Sequence, residues 1–376
     1  MLKRFILTLI AAFICIIFCT SAFAASDASV SISVSASSAI VIETESGRAV
    51  YEKNADERRS MASTTKIMTA LVALENGDLD MPVKIPKEAV GIEGSSVYLI
   101  ENETLTLREL LYALMLRSAN DAATAIAIAL GGSVSGFADM MNNKAKELGL
   151  KDTHFENPHG LDSPEHYTTA RELAIITAEA LKNDTFKQIV STQKMTLPLA
   201  NQPDRRLVVN HNRLLRTYDG CIGVKTGFTK KTGRCLVSAA EREGVTLIAV
   251  TLNAPNDWND HKKMLDYGFS CLKRVEISGD GICGYIPTVG STVDQLFYGA
   301  VGSTSVVIEG DADSLRVVIE LSRFYFAPVK TGDIIGRAVF YNGNEEVASL
   351  PIQALSDAPK RKEKMSFFKW LISLFD

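Results

Sequence analysis

Arg59-Ser60-Met61-Ala62-Ser63-Thr64-Thr65-Lys66-Ile67-Met68-Thr69-Ala70 carries the start of a helical pattern that opens at Ser63 and runs to Glu75. Ile67, Met68, Leu71, Val72 and Leu74 supply its apolar positions, and Gly77 is its stop. Ser63 and Lys66 are three apart, so they share one helical face and the hydroxyl and amine can meet. A serine hydroxyl is a poor nucleophile at neutral pH and needs a base beside it. Lysine can be that base if burial or a nearby positive charge lowers its pKa. The helix start adds backbone N–H groups and a positive dipole end, both favourable to a developing anion.

Upstream, Ala39-Ile40-Val41-Ile42 and Ala49-Val50-Tyr51 flank Glu45-Ser46-Gly47 and read as a β-hairpin. Downstream, Thr106-Leu107-Arg108-Glu109 is a capping box opening a helix to about Arg117. Helices follow over about 121–130, 136–148 and 170–183. Strand patterns return at 222–225, 235–240 and 246–252, with a helix at about 257–272. Strands at both ends of this region therefore bracket a block of helices, which predicts an α/β (α+β) domain over 25–275 whose sheet joins early and late strands. After Val275 the pattern becomes short alternating runs at 305–308, 315–321, 338–341 and 346–352, with Asn342-Gly343 as a two-residue hairpin turn. A separate small all-β domain over 276–358 is expected.

Both ends are unusual. Lys3 and Arg4, the apolar run Phe5 to Phe18, and Ala22-Phe23-Ala24 form a signal peptide over 1–24, so the chain is expected to be exported. Ser26 to Ser38 reads as a mobile lead-in. At the other end, 359–376 reads as an amphipathic tail. Lys360, Arg361, Lys362 and Lys364 precede a segment whose polar Ser366, Lys369, Ser373 and Asp376 occupy one narrow helical stripe. That pattern predicts an interfacial anchor to a membrane surface. The 376 residues carry 40 basic and 44 acidic side chains, a net charge of −4, which argues against a nucleic-acid partner. With 46% hydrophobic and 22% charged residues, wholesale disorder is excluded.

Ser-x-x-Lys alone is a weak signal. It recurs at Ser191/Lys194, Ser270/Lys273 and Ser366/Lys369, and Lys-Thr-Gly occurs at Lys225, Lys231 and Lys330. Ser-x-Asn is found at Ser118-Ala119-Asn120. Only Ser63/Lys66, Ser118/Asn120 and Lys225/Thr226/Gly227 combine order, spacing and secondary structure, and together they match the signature of penicillin-binding proteins and class A β-lactamases. The segment around Ser63 resembles the nucleophile segment of low-molecular-mass penicillin-binding proteins, the serine-type D-alanyl-D-alanine carboxypeptidases. Phe155 to Asp162, Gly223 to Thr229 and Thr232 to Ser238 are also similar to segments of that family. Ser-Ala-Asn at 118–120, in place of Ser-Asp-Asn, favours the peptidase over the lactamase.

The resemblance implies a DD-peptidase/β-lactamase-like catalytic domain, a β-rich second domain and a C-terminal amphipathic helix. It makes Ser63 the acyl-ester nucleophile and Lys66 its base, with Ser118 relaying protons to the leaving amine. Asn120 would bind the substrate's peptide backbone, Lys225 would hold positive charge beside the nucleophile, and Thr226 would help bind the terminal carboxylate. Gly227 belongs to the same substrate-binding strand. The N–H groups of Ser63 and Phe228 would form the oxyanion hole. The expected partners are peptidoglycan stem peptides ending in D-Ala-D-Ala, and β-lactams. The expected function is a carboxypeptidase; a DD-endopeptidase, a β-lactamase and a catalytically silent cell-wall binding protein are the alternatives. The five histidines stand at no zinc-ligand spacing with the cysteines, so neither metal nor cofactor is expected. His159 reads as a structural hydrogen-bonder in a loop. Cys221, Cys235, Cys271 and Cys283 read mainly as free buried thiols, although Cys221 and Cys235 could pair across a hairpin.

Overall fold

The computed structural model describes residues 32–199 and 205–362. The expected signal peptide over 1–24 and most of the tail, from residue 363 on, lie outside the described residues. Two strands from the start of the chain, β1 (Ser38–Glu43) and β2 (Ala49–Lys53), join three from much later: β3 (Cys221–Thr229), β4 (Gly233–Arg242) and β5 (Val245–Leu252). The sheet order is β2-β1-β5-β4-β3, and every pairing is antiparallel. This is the expected union of early and late strands. β1 reads Ser-Ala-Ile-Val-Ile-Glu and all six residues are buried. A strand with both faces buried must be covered on both sides.

Helices supply that cover. α1 (Lys66–Asn76), α2 (Leu107–Leu116), α3 (Asn120–Gly131), α4 (Val134–Glu147), α5 (Ala170–Leu181) and α6 (Asp184–Ser191) form the inserted block, and α7 (Asp257–Cys271) follows β5. α5 and α7 both pack on β5. One continuous core runs from Ile40 and Ile42 in the sheet through Ile67, Leu71, Leu110 and Leu114 to Phe137. The capping box forms as expected: Thr106 Oγ1 accepts from Glu109 N, and Glu109 Oε2 accepts from Thr106 N. Among the described residues no single helix is long and apolar enough to cross a membrane.

The described end of the lead-in, residues 32–37, is tied to the fold rather than mobile. Val34 and Ala36 are buried, and both Ser35 N and Ser35 Oγ donate to the Asp260 carboxylate, at 2.9 and 2.6 Å. Short polar side chains can tie down backbone as readily as they solvate it.

Beyond α7 the chain turns directly into β6 (Leu272–Ser278), then β7 (Cys283–Val289), β8 (Gln295–Ala300), β9 (Ser303–Glu309), β10 (Leu315–Leu321), β11 (Tyr325–Phe326), β12 (Ile334–Asn342) and β13 (Glu345–Ala354). Six of them form one sheet in the order β10-β12-β13-β8-β7-β11, and β6 pairs with β9. The hairpin at Asn342-Gly343 exists with its turn one residue later. Asn342 still pairs with Glu345, so Gly343 and Asn344 are the central residues, with Gly343 at φ 60°. Ion pairs from Arg48 to Glu309 and Glu345, and from Arg274 to Glu45, tie this domain to the first.

Candidate active site

A 3-10 turn, Ala62–Thr65, carries Ser63 into α1. Ala62 sits at φ 48°, a left-handed conformation uncommon outside glycine. Gly160 is the contact that constrains it: a Cβ there would lie 2.0 Å from the Ala62 carbonyl oxygen. The same loop is held by Thr69, whose Oγ1 donates to the Pro158 carbonyl at 2.6 Å.

Lys66 is fully buried at the base of the nucleophile. Its Nζ lies 3.1 Å from Ser63 Oγ, 2.7 Å from Asn120 Oδ1 and 2.5 Å from the His159 carbonyl oxygen. Burial pushes its pKa well below the ordinary 10.5, and the Lys225 charge adds to the effect against a smaller opposing pull from Asp121. A neutral amine has two N–H bonds and one lone pair. The two carbonyl oxygens take the two N–H groups, which leaves the lone pair facing the Ser63 hydroxyl. The arrangement is that of a general base.

Ser118 lies between α2 and α3, as expected, at φ 62° and nearly buried. Lys225, on β3, is buried, and its Nζ donates to the Thr226 carbonyl at 2.8 Å. Burial lowers its pKa to about 7. Gly227 presses β3 against the nucleophile turn. A Cβ there would stand 3.1 Å from both Met61 O and Ser63 N. Phe228 follows, 62% exposed at the rim.

A cleft of about 290 Å³ opens over these residues, lined by Ser63, Ser118, Thr226, Gly227 and Phe228. Ser95, His211, Arg234, Asp257 and Trp258 complete its wall. Lys66, Asn120 and Lys225 lie beneath that lining. Asn120, expected to bind the substrate backbone, has both ends of its amide engaged within the protein. Its Oδ1 accepts from Lys66, its Nδ2 donates to the Glu93 carbonyl at 2.5 Å, and the residue is only 4% exposed.

The competing matches fall elsewhere. Ser191 ends α6 and donates to the Lys187 carbonyl, and Ser270 donates to that of Tyr267. Lys231 is in the β3–β4 turn and Lys330 is in the second domain, while Ser366 lies outside the described residues. His159 is a structural hydrogen-bonder, as expected: its Nδ1 accepts from Leu161 N. Its carbonyl contact to Lys66 has no sequence signal, because every residue has a carbonyl. Arg234, 3.0 Å from the nearly buried Asp257 carboxylate, and Trp258, under the Arg213 guanidinium, also line the cleft and belong to none of the three motifs.

The disulfide alternative fails on register. Cys235 pairs across the hairpin with Gly227, whereas Cys221 pairs with Ala240. All four described cysteines are free; Cys235 is buried, Cys221 and Cys271 are partly buried, and Cys283 is exposed, so only Cys235 fits a fully buried thiol.

Residues 22–256 match the D-alanyl-D-alanine carboxypeptidase family, and residues 292–360 match the C-terminal domain of penicillin-binding protein 5. The chain is 33% identical over 375 residues to the D-alanyl-D-alanine carboxypeptidase DacF of Bacillus subtilis, covering 96% of this chain and 95% of that one. It is 32% identical over 356 residues to DacC of Escherichia coli, covering 89% and 87%. The structure of penicillin-binding protein 5 from Haemophilus influenzae superposes with a TM-score of 0.69 at 28% identity, over 88% of this chain and 99% of that one. Across both domains the matches agree, and the chain belongs to the D-alanyl-D-alanine carboxypeptidase family of serine hydrolases.

Proposed function

We propose that the Ser63 cleft removes the terminal D-alanine from peptidoglycan stem peptides through a serine acyl-enzyme, and that penicillins acylate the same oxygen. The observation that carries this reading is the 3.1 Å approach of the buried Lys66 Nζ to Ser63 Oγ, with both amine N–H groups already taken by carbonyl oxygens.

Ser63 Oγ attacks the carbonyl carbon of the penultimate D-alanine while its proton passes to Lys66 Nζ. The oxyanion forms against the N–H groups of Ser63 and Phe228; losing one such donor costs roughly 100–1000-fold in turnover elsewhere. Ser118 relays the proton from Lys66 to the departing amine as the C–N bond breaks, so D-alanine leaves and Lys66 is neutral again. Water, deprotonated by the same base, then hydrolyses the ester and restores Ser63. Thr226, in the cleft wall, takes the substrate carboxylate. Lys225 supplies positive charge from beneath, and Asn120 acts as a positioning residue that aims Lys66.

Residues 1–24, read as a signal peptide, and residues 359–376, read as an amphipathic tail, support export and attachment at the outer face of the cytoplasmic membrane. Release of D-alanine from a peptide ending in D-Ala-D-Ala tests the reading: wild-type protein releases it and Ser63→Ala does not. Equal release by both proteins would refute it.

A further inference from the structure

We propose that the outer face of the six-stranded sheet, at the end remote from the catalytic domain, is a lipid-contacting surface that lies in the membrane interface beside the tail. The proposal rests on reading residues 363–376 as interfacial.

Along β7, Cys283, Tyr285, Pro287 and Val289 all point outward and are exposed, while Ile286 points into the core. Tyr285 stacks on Phe297 of β8 with ring centres 5.0 Å apart. Phe326 pairs with Val289 in parallel register, and Phe324 meets it edge-on at 5.3 Å. Exposure is 69% at Phe326, 66% at Tyr285, 45% at Phe324 and 44% at Val289. A contiguous aromatic and aliphatic face of this kind marks an interaction surface, because scattered exposed apolar residues do not cluster by strand and register.

Two observations select lipid as the occupant. First, the last described residues lie at this spot: Arg361 N donates to the Gly290 carbonyl, Ser291 bridges to Lys360, and exposed Lys360, Arg361 and Lys362 follow close to Val289. Basic side chains flanking an apolar face match anionic headgroups above an acyl boundary. Second, the face lies far from the catalytic domain. β13 begins beside Arg48, at Glu345, and runs ten residues to Ala354, roughly 30 Å at 3.3 Å per residue. A protein held by this end keeps the Ser63 cleft away from the bilayer, toward its polymeric substrate.

The test places tryptophan at Phe326 in a Trp370→Phe background, in the chain from Ala25 on, with Trp258 of the cleft as internal reference. Vesicles contain equal parts phosphatidylglycerol and phosphatidylcholine, with brominated acyl chains as quencher. Pelleting with quenching of the tryptophan at 326, and none of Trp258 in the parent, is expected. Phe324→Ser/Phe326→Ser should weaken vesicle binding about tenfold, as expected for two partly buried rings. Pelleting without quenching at 326, or unchanged binding by the double variant, overturns the proposal and leaves the tail reading intact. Absence of both pelleting and quenching refutes the two together.

Discussion

Asn120 Oδ1 accepts a 2.7 Å hydrogen bond from Lys66 Nζ, although the two residues are 54 apart in sequence and neither is in the cleft wall. The amide is fixed from behind by the Glu93 carbonyl, so it holds the base in one orientation. Asn120→Ala should therefore slow acylation by roughly 100-fold or more, within the range of general-base effects, with little change in KM. Stopped-flow acylation by a chromogenic β-lactam measures it. A change confined to KM would make Asn120 a substrate ligand instead.

Much of this site is legible from the residues alone. Ser63, Ser118 and Lys225 can be found because catalysis demands particular side chains in a particular order. The partners of Lys66 cannot be read in the same way. The His159 carbonyl is a backbone group, and the Glu93 carbonyl behind Asn120 comes from an irregular loop. The fold follows the same division. That one sheet joins early and late strands is implied by apolar strands at both ends of a helical block, whereas the antiparallel pairing of β1 with β5, the one-residue shift at Gly343 and the offset of Cys221 from Cys235 depend on strand order and register, which period-2 patterns do not fix.

Lys225 lowers the pKa of Lys66 by its charge, so removing that charge raises it. Acylation needs neutral Lys66 and rises with pH as the proton leaves. Lys225→Gln should move this acid limb to higher pH and reduce the overall rate. A pH–rate profile over 5–10 reports it, and an acid limb that stays in place contradicts the coupling.

Gly227→Ala inserts a methyl group 3.1 Å from Ser63 N and Met61 O. β3 must then retreat from the nucleophile turn. Acylation should fall at least tenfold while thermal stability drops by about 1 kcal/mol, the low end of overpacking costs. Wild-type acylation rates in this variant would show that the close approach is dispensable.

Burial holds His159 and His261 neutral down to about 3 and His166 down to about 4. In the unfolded chain each titrates near 6.5. The unfolded state therefore binds protons that the fold refuses, and stability is lost as pH falls below about 6.5, until the native values near 4 and 3 are reached. His261→Gln should shallow the slope of unfolding free energy between pH 6 and 4.5 by up to about 1.4 kcal/mol per pH unit. A slope unchanged by the substitution would contradict the neutral buried state.

The β3–β4 register leaves Cys221 and Cys235 unpaired, so denaturing thiol titration of the chain from Ala25 on should count Cys221, Cys235, Cys271 and Cys283 as free. Reductant should not change the melting temperature. Loss of two thiols together with a reductant-sensitive melt would contradict the register.

In the proposed mechanism Ser63 Oγ is the acylated atom and Lys66 the base that activates it. Mass spectrometry of the intact protein with benzylpenicillin, followed by peptide mapping, tests it most directly. A single covalent adduct on Ser63 is predicted in wild-type protein, with none in Ser63→Ala and none in Lys66→Ala. An adduct on Ser118, Ser191 or Ser270, or undiminished acylation of Lys66→Ala, would contradict it.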